Sequence, residues 1–243
     1  MEGQSNDMSG ERSPREEPTV TTATTTAAPT GTFTPARAAA LGALGFAAGV
    51  FVQNAFLLVG MPDASAPASE AATWLTENRA RAGAASALVG VNLPLLLLFT
   101  ASLRSLSRDT PAARLGVDLG SFAVVVLAAV FAVVAATQIA ATLIADGGAT
   151  PAFASLWTLH NAAFSISFTA LGVTLLGFSI GAYSAGLSVR WQRSVGLVSA
   201  ALLLVAGLSN TAVAAGSPMI YVGLAGFALW IVWLVSTGVR LLR

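Results

Sequence analysis

This chain of 243 residues is 55% hydrophobic and only 9% charged, whereas a water-soluble domain carries about 25% charged residues. An ordinary soluble globule is therefore excluded. The absence of cysteine removes disulfides, thiolate metal ligands and cysteine nucleophiles, and a net charge of +1 gives no global pull toward nucleic acid.

The first 35 residues differ from all that follow. Glu2, Asp7, Glu11, Glu16 and Glu17 make an acidic start with Arg12 and Arg15, and a Thr/Ala/Pro run continues to Pro35. Such a segment buries too little apolar surface to offset its chain entropy. Residues 1–35 are predicted to form a disordered cytoplasmic tail. A secretory signal would begin with a short basic region ahead of an apolar core, so this start is not read as one.

Six apolar runs follow, at 36–60, 83–103, 118–145, 157–182, 194–215 and 218–241. Each is close to or above the roughly 20 residues that cross a hydrocarbon core of about 30 Å. The predicted fold is all-α, a polytopic transmembrane bundle of six helices over residues 36–243. The loop before the second run starts with Pro62 and Pro67 and then reads as a short helix over 69–81, lying at the interface or extending the second span. Within that span, Pro94 removes a backbone hydrogen bond and is expected to kink the helix. At the fifth-to-sixth hairpin, Gly216 suits a helix C-cap, Ser217 an N-cap and Pro218 a first turn.

Arginine placement orients the bundle, because basic loops stay cytoplasmic. All 12 basic residues are arginines. Arg12, Arg15 and Arg37 precede the first span, Arg104, Arg108 and Arg114 lie between the second and third, Arg190 and Arg193 between the fourth and fifth, and Arg240 and Arg243 at the end. The alternate loops hold Arg79 and Arg81, with Glu70 and Glu77 nearby. Both termini are predicted to be cytoplasmic. Trp74, Trp157 and Tyr221 fall near the outer boundary and Tyr183 and Trp191 near the inner one, where amphipathic rings favour the headgroup zone.

Small residues at four-residue spacing mark helix contacts in lipid. They occur as Gly45 and Gly49, as Gly177 and Gly181, and along the fifth span as Gly196, Ser199, Ala200, Gly207, Asn210, Thr211 and Ala214. The polar side chains inside the spans share a depth. Gln53, Asn54, Asn92, Gln138, His160, Asn161 and Asn210 all fall in the predicted outer half. Unpaired polar groups in hydrocarbon cost several kcal/mol. These residues therefore either hydrogen-bond between helices or line an outward-facing polar pocket for a small uncharged or zwitterionic molecule.

His160 offers no metal site, having neither cysteines nor paired carboxylates beside it, and no cofactor pattern is present. Asp118, the one acid within the spans, sits at the start of the third with Arg114 four residues earlier, which suits a helix N-terminus. The lack of a deeper acid argues against a proton-driven pump. A remote catalytic alternative pairs Ser209 with His160 for intramembrane hydrolysis. The order of serine and histidine and the following Asn210 depart from rhomboid-type proteases, and no catalytic residue is assigned.

The run Leu159-His160-Asn161-Ala162-Ala163-Phe164, the later Arg190-Trp191-Gln192-Arg193-Ser194-Val195-Gly196-Leu197, and Trp74-Leu75-Thr76-Glu77-Asn78 ahead of the second span carry a resemblance. Over roughly residues 36–240 the chain resembles small six-span integral membrane proteins of high-GC, actinobacterial-type bacteria, of the domain-of-unknown-function class. That resemblance implies a bacterial inner membrane and transfers no substrate or catalytic residue. The expected role is non-enzymatic. It is either binding or transport of a small molecule through the polar pocket, or that of a structural or accessory subunit. Membrane lipid, a second copy or a membrane partner are the expected contacts, without nucleic acid.

Overall fold

The computed structural model describes residues 33–57 and 59–243. The tail expected over 1–35 lies outside the described residues as far as residue 32. Among the described residues there is no strand. The chain passes through α1 (Pro35–Leu57), α2 (Ala68–Glu77), α3 (Arg79–Leu106), α4 (Pro111–Ile144), a 3-10 turn (Ala145–Gly147), α5 (Pro151–Ser184), α6 (Arg190–Leu208), α7 (Asn210–Ala214) and α8 (Met219–Leu241). Six of these helices, α1, α3, α4, α5, α6 and α8, are long and apolar enough to cross a membrane. The chain is an all-α, multi-pass membrane protein.

Three of the spans begin with the same local chemistry. Thr34-Pro35, Thr110-Pro111 and Thr150-Pro151 each set a threonine ahead of a proline at the first helical position. The hydroxyls accept from the N–H groups of Arg37 at 3.3 Å, Ala113 at 3.1 Å and Phe153 at 3.2 Å. A first-turn proline lacks only an N–H that the helix would leave unpaired. In α4 and α5 these caps lie about two turns ahead of the apolar runs at 118–145 and 157–182. Both helices therefore have 34 residues, about 51 Å at the α-helical rise. At any ordinary tilt they outreach a core of about 30 Å.

Neighbouring spans run α1–α3–α4–α5–α6–α8 and back to α1, closing a ring. Aromatic side chains meet in its interior, some from helices that are not neighbours in the ring. Phe99 of α3, Phe178 of α5 and Trp233 of α8 lie 5.7, 6.3 and 6.5 Å apart by ring centroids, and Phe46 of α1 meets Trp230 of α8 edge-on at 5.3 Å. Such pairs add about 0.5–1.5 kcal/mol beyond their area. α5 is the most enclosed span, with 67% of its apolar window buried against 22–39% for the others. The outer flank of α4 shows the opposite character: Leu115, Leu119, Phe122 and Val126 are exposed apolar residues in one stripe, as a lipid-facing surface requires.

The seams close where side chains are missing. A Cβ on Gly116 would stand 2.6 Å from the Gly181 nitrogen, and one on Gly177 2.5 Å from the Gly120 nitrogen. Two glycine pairs on α4 and α5 thus let the backbones touch. A Cβ on Gly42 of α1 would stand 2.6 Å from the Phe99 nitrogen of α3. On α6, Gly196 abuts Ser179 and Gly207 lies against Thr169, both of α5.

Several local expectations are corrected. The helix expected over 69–81 ends at Glu77, and Asn78, at φ −112°, separates it from α3. It lies on the α4–α5 tip, where Ala71, Ala72, Trp74 and Leu75 pack with Ala141, Ala145, Phe153 and Trp157 as a second, smaller core. Trp74 and Trp157 are buried there instead of facing headgroups, while Tyr221 and Trp191 stay exposed. The fifth span breaks at Ser209, whose N–H is shared between the Val205 and Ala206 carbonyls at 3.2 and 3.1 Å. This tightening divides 194–215 into α6 and α7. Asp118 pairs with Arg104 of α3 at 2.7 Å, while Arg114 donates to the Arg108 carbonyl at 3.0 Å. Pro94, where a kink is expected, lies inside α3. At the α7–α8 hairpin Gly216 turns at φ +83° as expected, with the Ser217 N–H donating to the Ala212 carbonyl at 2.9 Å. The N-cap of α8 is Pro218 instead of Ser217, and the Ser217 hydroxyl accepts from the Met219 N–H at 3.4 Å.

Candidate functional site

The polar side chains singled out in the sequence distribute over separate helix seams. Between α1 and α3, the Asn92 Nδ2 donates to Gln53 Oε1 at 2.7 Å. Asn92 is buried, and its Oδ1 lies against Gly49, so the glycine makes room for the carboxamide. Asn54, one residue on, turns its Nδ2 back to the Val50 carbonyl at 2.8 Å and satisfies its own helix.

Between α4 and α5 the centre is His160. Its Nδ1 lies 3.1 Å from the Val134 carbonyl and 3.3 Å from Thr137 Oγ1. A carbonyl can only accept, so Nδ1 carries the proton and Nε2 is left as the acceptor. The ring stacks on Trp157 one turn earlier, at 5.5 Å and 10° between planes. Thr137 in turn donates to the Val133 and Val134 carbonyls, each at 2.9 Å. Gln138 is buried beside Thr137 in sequence. Its Nε2 and the Trp157 Nε1 are both buried without a partner among the described residues. Asn161 is half-buried and makes no side-chain hydrogen bond among the described residues.

Asn210 stands apart, in the first residue of α7, where its Oδ1 accepts from the Thr211 hydroxyl at 3.2 Å. The structure thus joins Gln53 to Asn92 and seats His160 on α4, but bonds none of these groups to Asn210. Ser209 is not among the partners of His160. No group of three His, Cys, Asp or Glu side chains that could hold a metal occurs among the described residues.

Two polar contacts of α6 with α8 are not apparent in the sequence, one near the end of the bundle that carries both termini and one at mid-span. Gln192 is buried in the first turn of α6, where its Oε1 accepts from the Val189 N–H at 2.9 Å and its Nε2 donates to Ser236 of α8 at 3.1 Å. Hydropathy alone leaves it outside the span, because the apolar run begins at residue 194. Ser199, fully buried on α6, donates to the Gly226 carbonyl of α8 at 2.6 Å. Its place in the small-residue stripe marked the contact but not the acceptor.

Two clefts open at that same end. One, of about 720 Å³, includes Trp191, Gln192, Ser236, Val239, Arg240 and Arg243 in its lining. The other, of about 320 Å³, lies between α3 and α4 and is lined by Arg104, Ser107, Arg108, Arg114, Val117 and Asp118. Set against protein-family models, curated proteins and solved structures, the chain finds no match.

Proposed function

We propose that this protein is a structural or accessory subunit of a bacterial inner membrane, both termini cytoplasmic, whose intramembrane polar side chains pin neighbouring helices together. One observation carries the reading: the cross-helix hydrogen bonds each fall within a single seam of the ring. Asn92–Gln53 joins α3 to α1, His160 joins α5 to the Val134 carbonyl of α4, and Ser199–Gly226 and Gln192–Ser236 join α6 to α8. Bonds of this kind contribute about 0.6–2 kcal/mol each in a membrane.

The orientation rests on charge. The end with the termini holds Arg37, Arg104, Arg108, Arg114, Arg190, Arg193, Arg240 and Arg243, whereas the far end holds Arg79 and Arg81. Arg79 is moreover paired with Asp146 at 2.8 Å. This asymmetry favours a cytoplasmic position for the termini. The bacterial inner membrane follows from the resemblance to small six-span proteins of high-GC bacteria.

A second reading, binding of a small uncharged or zwitterionic molecule, is favoured by the two unpartnered donors near His160, Gln138 Nε2 and Trp157 Nε1. A double-mutant cycle at Gln53 and Asn92 in lipid bicelles separates the two. Each single change to leucine strands an amide, the buried one of Asn92 or the half-buried one of Gln53, while the double change removes both. The scaffold reading predicts that the double variant is no less stable than the worse single variant, with a coupling of about 0.6–1.7 kcal/mol. Zero coupling, together with solute-induced stabilisation that His160→Leu abolishes, would overturn it in favour of the second reading.

A further inference from the structure

We propose that the cleft between α3 and α4 at the end carrying the termini binds the phosphate of an anionic phospholipid from the surrounding bilayer. The inference goes beyond the scaffold reading and stands without it.

Three guanidinium groups line this cleft: Arg104, Arg108 and Arg114. Only one acid, Asp118, shares the lining, and it is already engaged by the Arg104 Nε at 2.7 Å. That bond holds the Arg104 side chain in place, and its terminal nitrogens remain as donors. Arg114 is held similarly, by donating one nitrogen to the Arg108 carbonyl at 3.0 Å. The cleft therefore keeps a surplus of positive charge, with two of its three arginines tethered, and planar guanidinium forks match phosphate oxygens two at a time.

A second, independent feature points inward. Ser107 is 2% exposed, lines the cleft, and its hydroxyl has no hydrogen-bond partner among the described residues. A buried hydroxyl without a partner costs free energy, and a phosphate oxygen would satisfy it. The pattern of a neutral donor beneath a rim of arginines suits a phosphate better than a carboxylate side chain, which has only two oxygens to share among four groups.

The lipid source follows from what adjoins the cleft. Leu115, next to Arg114 in the chain, starts the exposed apolar stripe Leu115, Leu119, Phe122 and Val126 along α4. A phosphate seated among the arginines places acyl chains down this stripe. A free phosphate would gain nothing from it. Basic pockets between spans at a membrane surface recognise lipid headgroups by this combination.

The test is native mass spectrometry of the full chain released from detergent, with phosphatidylglycerol, phosphatidylcholine or inorganic phosphate added. Wild type is expected to retain phosphatidylglycerol at least tenfold more than phosphatidylcholine. Arg108→Gln with Arg114→Gln should weaken that retention about thirtyfold, at about 1 kcal/mol per arginine. Arg190→Gln with Arg193→Gln, which removes equal charge at the same end but outside this cleft, should retain the lipid like wild type. If the first double variant does not fold, Ser107→Ala supplies the test, with a severalfold loss of phosphatidylglycerol expected.

Equal retention of both lipids by wild type would overturn the proposal. So would equal losses in the two double variants, or no loss in Ser107→Ala. Displacement of the lipid by millimolar inorganic phosphate would assign the cleft to a free anion instead.

Discussion

Gly116 and Gly177 illustrate how single residues set the closest approach of two spans. Each would place a Cβ well inside van der Waals contact with the neighbouring backbone, at 2.6 and 2.5 Å. Backbone cannot yield as a flexible side-chain tip can, so the helices must separate. Gly177→Leu is expected to destabilise the bundle by about 3 kcal/mol or more, measured by SDS titration in bicelles. Gly83 on α3 has nothing within 4 Å of its Cβ position, and Gly83→Ala should stabilise by about 0.5–1 kcal/mol through lower chain entropy. A similar loss at both sites would contradict the close-crossing account. Gly177 and Gly181 were legible from four-residue spacing alone. Their partners Gly116 and Gly120 were not, because Gly116 precedes the apolar run that begins at residue 118. Gln53 and Asn92 were likewise readable as equally deep. Their pairing depends on how each helix is rotated about its axis, which composition does not encode.

Among the elements, helix starts and the far-end cap show which local signals outweigh hydropathy. Apolar runs locate the part of a helix that lipid must cover, whereas Thr-Pro caps locate where the backbone turns helical. The two differ by about two turns at α4 and α5. The added turns of α5, which carry Phe153, build part of the tip on which α2 rests, whereas those of α4 extend the opposite end beside Arg114. α2 is held chiefly by packing: Ala71, Ala72 and Leu75 are each 1% exposed and Trp74 is 8% exposed. The nearby Arg79–Asp146 pair is roughly half-exposed on both sides. Exposed pairs contribute about 0–1 kcal/mol, and removing a buried tryptophan costs about 3–5 kcal/mol. Trp74→Ala should therefore raise tryptic cleavage after Arg79 and Arg81 by more than about tenfold, a factor that corresponds to about 1.4 kcal/mol of local opening. Asp146→Asn should change that cleavage by less than about fivefold. The reverse order would show that charge, not packing, fastens the cap. The burial of Trp74 and Trp157 escaped the sequence because boundary tryptophans are ordinarily headgroup-facing. Only the folded-back α2 gives them an apolar neighbour.

At the scale of the whole molecule, the number and order of spans followed from hydropathy, and an even number places both termini on one side. The ring order did not follow, since six antiparallel helices can be arranged in many ways with the same loops. It depends on which glycine faces meet, and on Phe99, Phe178 and Trp233 filling the interior. Of the polar layer, depth was legible and connectivity was not, and the buried Gln192 lay just outside the recognised apolar run. The arrangement makes the bundle a closed, aromatic-filled body with arginine-rich clefts at one end. In the proposed orientation, six helices cross the bilayer and both ends of the described chain face the cytoplasm.

Single-cysteine labelling tests this most directly, because the natural chain contains no cysteine and each introduced thiol reports alone. Asp109→Cys and Arg243→Cys lie at the end with the termini, and Ser69→Cys, Ala149→Cys and Ala215→Cys at the far end, all at exposed positions. A membrane-impermeant maleimide applied to intact spheroplasts should label the three far-end cysteines and reach the other two only after lysis. Labelling of Asp109→Cys together with Ala149→Cys in intact spheroplasts would mean that α4 does not cross the membrane, and the six-span account would be wrong.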